Sequence, residues 1–330
     1  MKTGRISDII YKRSVTDRLL RQRAGFRGNN VSGDEASRIP FEMFSGCFQG
    51  HYHDAGERAV VYAANKAFAH KMKPVGITLN LTVPERISEK KVSDLVARAD
   101  MVCHDTNGIF LDKVNVYVDD DLNSPNRIIA DAVCLAIPFD RKTIETQHLG
   151  PKAGFDIVMT GYAAMDEASD IALRRREELV TRLPEYIVDR VKNGVKELST
   201  EPSVRAVSEY SEHFEKPVFT HAASEGGILT ALWDVGEKYD LGITADGRSV
   251  LMLQEIVEVC EFFDIDPYRM DSNGCLLTAV EDGEPLCEYF WERGIDACVI
   301  GSFTDSNDRV ILMDEEYRYL EPFRGSEKHI

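Results

Sequence analysis

Pro217-Val218-Phe219-Thr220-His221-Ala222-Ala223-Ser224-Glu225-Gly226-Gly227-Ile228-Leu229 is the stretch on which the chain turns. Val218 to Thr220 favour an extended strand. Ser224, Glu225 and two glycines make a tight polar loop. Ile228, Leu229, Leu232, Trp233 and Val235 then repeat at helical spacing. The spacing predicts strand, turn, helix. Paired glycines let the backbone reverse sharply and let a ligand approach the main chain. Free N–H groups at the start of such a helix suit an anion. Simple chain reversal is the plainer alternative for a Gly-Gly turn.

Working outward, Gly242-Ile243 predicts a short strand and Leu251–Phe263 an apolar helix. Ser272-Asn273-Gly274 turns into a strand, Glu284–Arg293 is a helix, and Ala297–Gly301 a strand. Upstream, Phe155–Tyr162 predicts a buried strand ending on glycine. A charged helical stretch over 168–198 is broken at Pro184, and a short helix covers 202–213. Alternating helices and strands predict a layered α/β fold.

In the first half, 5–24 predicts a basic, semi-amphipathic helix. Helices are expected over 57–72 and 88–104, and strands over 75–83, 109–118 and 127–137. Thr143–Gly154 is polar, with Gly150-Pro151, and predicts a linker. At 330 residues the chain exceeds the roughly 250 that one core sustains. Two domains are therefore expected, 1–150 and 151–330.

Net charge is −17, which disfavours the polyanions nucleic acid and anionic membrane as partners. No apolar run approaches the roughly 18 residues of a spanning helix, and the start lacks a signal core. A cytoplasmic protein is expected. The seven cysteines form no CxxC pair and mostly sit in apolar runs, predicting buried, reduced thiols and no catalytic thiol. His51 and His53 alternate as a strand-borne metal pair would, or are plain loop histidines. Asp119-Asp120-Asp121 is either a cation site or a solvated acidic hairpin.

Thr220 to Leu229 resembles the His-Asp-x-Ser/Thr-Glu-Gly-Gly signature of the aminoimidazole ribonucleotide (AIR) synthase superfamily. That superfamily includes FGAM synthetase, thiamine-monophosphate kinase, selenophosphate synthetase and the hydrogenase maturation factor. Asp156–Glu167 resembles its Asp-Ile-Val-Val-Thr-Gly-x-x-Gly-x-Glu-Gly. Glu167-Ala168 lies near the Glu-Gly pair of that motif. The segments around Ile265-Asp266-Pro267, Ser272–Leu277 and Gly294–Gly301 match it nearly element for element. The resemblance spans the chain, loosely for about 150 residues and well for the last 180.

It implies a two-domain AIR synthase-like fold, a homodimer built through N-terminal strands, and ATP with Mg2+ in a cleft near that interface. Gly33-Asp34-Glu35 stands for the Gly-Asp-Asp turn, with Asp34 and Glu35 as metal ligands. Asn65 matches a family asparagine. Lys66 and Ala222 replace two family acids, removing anchors for a magnesium-bound triphosphate. Gly33, Asp34, Asn65, Lys66, Ser224, Glu225, Gly226 and Gly227 are the implied cofactor contacts, Lys66 meeting a phosphate directly. The ligand expected is a nucleotide or small phosphorylated molecule. If the chain is catalytic, the resemblance implies an ATP-dependent ligase- or kinase-like reaction. The alternative is a non-catalytic dimeric paralogue that binds or regulates. The last cysteine is Cys298, whereas the maturation factor works on a C-terminal cysteine. Cys47 does not follow the N-terminal glycine-rich loop of selenophosphate synthetase.

Overall fold

The computed structural model describes residues 41–122, 124, 126–139 and 149–325. The N-terminal half carries β1 (Glu42–His51), α1 (Ala55–Ala69), β2 (Met72–Pro84), α2 (Glu89–Asn107), β3 (Lys113–Asp119) and β4 (Arg127–Pro138). Its four strands pair in the order β1-β4-β2-β3. Strand β1 was not anticipated. Its sequence Glu-Met-Phe-Ser-Gly-Cys-Phe-Gln-Gly-His is half polar and holds two glycines, so it lacks the β-branched run that marks β2.

The C-terminal half carries β5 (Asp156–Thr160), α3 (Met165–Arg174), α4 (Arg176–Leu179), α5 (Glu185–Lys192) and α6 (Glu201–Phe214). There follow β6 (Phe219–Ala222), α7 (Gly227–Tyr239), β7 (Gly242–Asp246), α8 (Gln254–Phe262), β8 (Leu276–Val280) and α9 (Gly283–Trp291). Then come β9 (Ala297–Thr304), β10 (Arg309–Met313) and β11 (Glu316–Tyr319). Seven strands form a mixed sheet, order β11-β10-β7-β9-β5-β8-β6. The hairpin β10–β11 adds an edge that the sequence pattern did not announce.

Helix α1 explains how the halves meet. Its sequence, AGERAVVYAANKAFA, is small and apolar on nearly every side, the pattern of a helix buried all round. One face packs on the sheet through Ala55, Ala59, Ala63 and Ala67. At Gly46 of β1 an added Cβ would sit 2.4 Å from the Ala59 carbonyl oxygen, so helix and strand touch backbone to backbone. The opposite face meets the C-terminal half. Val61 and Tyr62 join Ala164, Met165 and Ala168, while Ala64 and Phe68 join Val204 and Leu276. Polar contacts tie the same junction. Asn65 Nδ2 donates to the Leu198 carbonyl at 2.6 Å, and its Oδ1 accepts from Thr200 N–H at 2.9 Å. Thr220 Oγ1 donates to the Ala69 carbonyl at 2.7 Å.

Candidate functional site

A cleft of about 1130 Å³ opens between the halves. Its N-terminal wall is the outward side of β1 and the start of β4, with Cys47, Gln49, His51, Arg127 and Ile129. The C-terminal wall comes from α3 (Asp166, Glu167, Asp170, Arg174), the α7 start (Glu225, Gly226, Thr230) and the 266–273 loop. Arg318, Tyr319 and Arg324 close the rim.

Asp166 is the hub of the base. Tyr62 Oη donates to its Oδ1 and Oδ2 at 2.5 and 2.7 Å, and Asn273 Nδ2 donates to Oδ2 at 2.7 Å. Arg58 Nη1 pairs with Oδ1 and also reaches the Asp166 carbonyl at 2.8 Å. Arg58 Nε donates to Asp54 Oδ2 and Nη2 to Ser169 Oγ, both at 2.8 Å. All these side chains are buried. Burial opposes the Arg58 charge, yet Asp54, Tyr62 and Asp166 around it hold the guanidinium well above its ordinary value. Burial lifts the Asp166 carboxyl above the usual range, while Arg58, Tyr62 and Asn273 pull it back. The network clamps α1 to the start of α3.

Asp271 adds a second unusual acid. Its Oδ1 accepts from Gly226 N–H at 2.9 Å, and its own N–H donates to Glu167 Oε2 at 3.0 Å. Burial first, then the charges of Glu167 and Asp166, push its carboxyl well above the usual range.

The glycine turn folds as its sequence predicts, but its chemistry differs. Gly226, with φ +84°, caps α7, and its N–H is already bound by Asp271. Gly227, with φ +74°, is required by contact: an added Cβ would lie 2.4 Å from the Tyr268 carbonyl oxygen. Glu225 and Gly226 line the cleft, whereas Ser224 accepts Ser272 N–H through its carbonyl at 3.1 Å. Asn65 is buried and spends its amide on the junction. Lys66 Nζ donates to the Ser45 carbonyl at 2.9 Å, and neither residue lines the cleft. Gly33, Asp34 and Glu35 lie outside the described residues.

Sequence reasoning missed Asp166, Arg58 and Asp271. One signal was present. Counted from Asp156 through Gly161, the family's Glu falls on Asp166, and its final Gly on Glu167.

The cysteine expectation holds in part. Cys103, Cys134, Cys260, Cys275 and Cys287 are buried. Burial pushes the Cys103, Cys134, Cys260 and Cys287 thiols up to about 12. Cys47 corrects it: the outward side of β1 exposes this residue in the cleft wall. Asp119–Asp121 is the one grouping of three acids within 4.8 Å among the described residues. It sits on an exposed turn where Asp119 Oδ1 accepts Asp121 N–H, an arrangement that needs no ion. Among the described residues no helix is long and apolar enough to cross a membrane.

Two packed halves with a cleft between them form an AIR synthase-like α/β fold. Solved structures with this fold include E. coli HypE, a hydrogenase maturation protein, at TM-score 0.67 and 16% identity, covering 94% of this chain and 98% of that one. A HypE structure in complex with ATP aligns at TM-score 0.63 and 15% identity, over 98% of this chain and 96% of that chain. Thiamine monophosphate kinase from Aquifex aeolicus, complexed with AMPPCP and TMP, aligns at TM-score 0.62 and 12% identity, over 96% and 97%. In sequence, the chain is 22% identical over 266 residues to a putative hydrogenase expression/formation protein of Methanocaldococcus jannaschii, covering 78% of this chain and 73% of that protein. No family model matches the sequence.

Proposed function

We propose that the chain binds a nucleotide or a similar phosphorylated small molecule in the cleft between its halves. The observation that carries this is the cleft itself. It is sized for such a ligand, and Arg127, Arg269, Arg318 and Arg324 lie in its lining. A guanidinium fork suits phosphate oxygens. The same fold holds ATP in HypE, and AMPPCP with TMP in thiamine monophosphate kinase. By that likeness the activity to look for is ATP-dependent and of the hydrogenase-maturation kind.

The chain's own residues reassign the contacts. Lys66 is committed to Ser45, and the Gly226 N–H to Asp271. Phosphate recognition therefore falls to the arginines rather than to the helix start. Magnesium fits the cleft only in part. Positions 66 and 222 offer no carboxylate, while Glu167 and Asp271 on the C-terminal wall offer hard oxygen donors. When bound, the ion would neutralise phosphate charge.

The alternative is a non-catalytic dimeric paralogue. It is favoured by Lys66 and Ala222, and by the spending of Asn65 on the junction. A thermal-shift and calorimetry screen of ATP, ADP and AMP, with and without Mg2+, separates the two. ATP at a hundredfold excess over Kd should stabilise by about 2.7 kcal/mol. No shift with any nucleotide would remove the nucleotide proposal and leave the scaffold.

A further inference from the structure

Strand β11 ends the seven-stranded sheet, and among the described residues no strand pairs with its outer edge. Its four residues are all exposed, Tyr317 at 63% and Tyr319 at 71%. The Leu320 N–H donates to the Arg309 carbonyl at 2.9 Å, in register with the β10–β11 hairpin. Hydrogen-bonded pairs alternate along an antiparallel ladder. Arg318 and Glu316 therefore turn their backbone groups towards β10, while Tyr317 and Tyr319 turn theirs outward. The outer edge thus offers donors and acceptors, with no proline to remove one. Side-chain charge there is only loosely met. Arg318 Nη2 lies 3.4 Å from Asp314 Oδ2 in the turn of the same hairpin, and Glu316 has no ion pair among the described residues. Arg318 and Tyr319 line the cleft, so this edge is part of its rim.

We propose that β11 docks on β11 of a second copy of this chain, antiparallel and centred on Tyr317. The Tyr317 N–H and C=O then exchange bonds with those of its copy. Glu316 falls opposite Arg318 of the second copy, and Arg318 opposite Glu316, so two ion pairs flank the tyrosine pair. Directly opposite residues share a face, where opposite charges attract. Charge on an edge strand normally blocks pairing. Centring on Arg318 would do so, because it sets the two guanidiniums against each other. Centring on Tyr319 sets Arg318 opposite the buried Leu320. The order Glu316-Tyr317-Arg318 is its own complement only about Tyr317. The contact is separate from the pairing of N-terminal strands that the family resemblance implies. It goes beyond the nucleotide proposal and is read without a ligand, so the two fail separately.

The test is sedimentation velocity of the full chain carrying Leu135→Lys, which keeps the N-terminal sheet face from pairing. Concentrations run from about 10 to about 500 µM, the range suited to so small a contact. Reversible self-association towards a dimer is expected. Arg318→Glu and Glu316→Arg, each placed in that chain, should weaken it by roughly tenfold or more, since each sets like charges opposite one another. An equimolar mixture of the two should restore it, because every opposed pair is again of opposite sign. The same substitutions in the chain with native Leu135, read for the same added step, guard against a background that misfolds. Absence of association over this range, persistence in either single variant, or a mixture no tighter than its components would each overturn the docking.

Discussion

Arg58 and Asp166 form a buried pair whose partners come from opposite halves of the chain. Breaking such a pair from one side is costly, since the remaining charge is left without its counterion. Arg58→Met should therefore lower stability by about 3–5 kcal/mol in urea denaturation. A loss below about 1 kcal/mol would place the pair among weak surface bridges instead. Two further residues give opposite pH responses. The folded-state pKa of Asp271 is raised, so the folded protein holds the extra proton and stability falls as pH rises through that pKa. Burial first, then Lys238 and His70, push His221 down to about 4. Here the unfolded chain binds the extra proton, so stability falls as pH drops from about 6.5 towards 4. Asp271→Asn should remove the fall of melting temperature with rising pH, and His221→Gln the loss on acidification from about 6.5 towards 4. Unchanged slopes in the variants would assign them to other groups. Among the thiols, Cys47 should alkylate fastest in the monomeric chain, because it is exposed there while five others are buried, and closing of the proposed dimer over its sheet face should slow it.

At the scale of elements, two helices hold the cleft in place. Helix α7 starts where Gly227 lies against the carbonyls of Tyr268 and Met270, with φ +74°. Gly227→Ala adds both a backbone clash and left-handed strain. It should cost at least about 2 kcal/mol and loosen the 266–271 loop, measurable by hydrogen exchange at Asp271. Helix α1 packs on both faces, and Asn65 supplies its polar tie to Leu198 and Thr200. Asn65→Ala would leave Thr200 N–H unsatisfied and should cost about 1–3 kcal/mol. If it leaves stability intact but abolishes ATP binding, Asn65 serves the ligand rather than the junction.

At the scale of the whole molecule, the outer face of the four-stranded sheet keeps apolar residues exposed among the described residues. The four-stranded sheet buries Ile77, Leu79, Leu81 and the even-numbered residues Ile128 to Ala136 against its helices. Its other face presents Met43 beside Leu135, with Tyr117 further across, all exposed. A polar row crosses that face, Cys47 opposite Asp131, Asp131 opposite Asn80 and Asn80 opposite Asn115. This is the face on which the proposed homodimer would close, with the apolar residues covered and the row setting register. Leu135→Lys should shift sedimentation from a dimer to a species of 37.1 kDa. A parent chain that is already monomeric at micromolar concentration would rule the dimer out.

The sequence by itself determined the layered α/β fold, because local chemistry writes it. Val218–Thr220, the Gly226-Gly227 turn and the apolar spacing from Ile228 make β6, the turn and α7 without help from elsewhere. The β-branched run of β2 and the small apolar face of α1 were legible for the same reason. Strand β1 was not, since Gly46 and Gly50 read as breakers until α1 packs against Gly46 and the Phe48 ring lies against Gly50. Only the tertiary structure decided the cleft's base. Arg58 and Asp166 stand 108 residues apart, and Asp271 lies 45 residues from the Gly226 N–H it binds. Each looks like a solvated charge on its own segment. Burial then removes the water that would have screened it, and only the fold settles which donors and which like charges take that water's place.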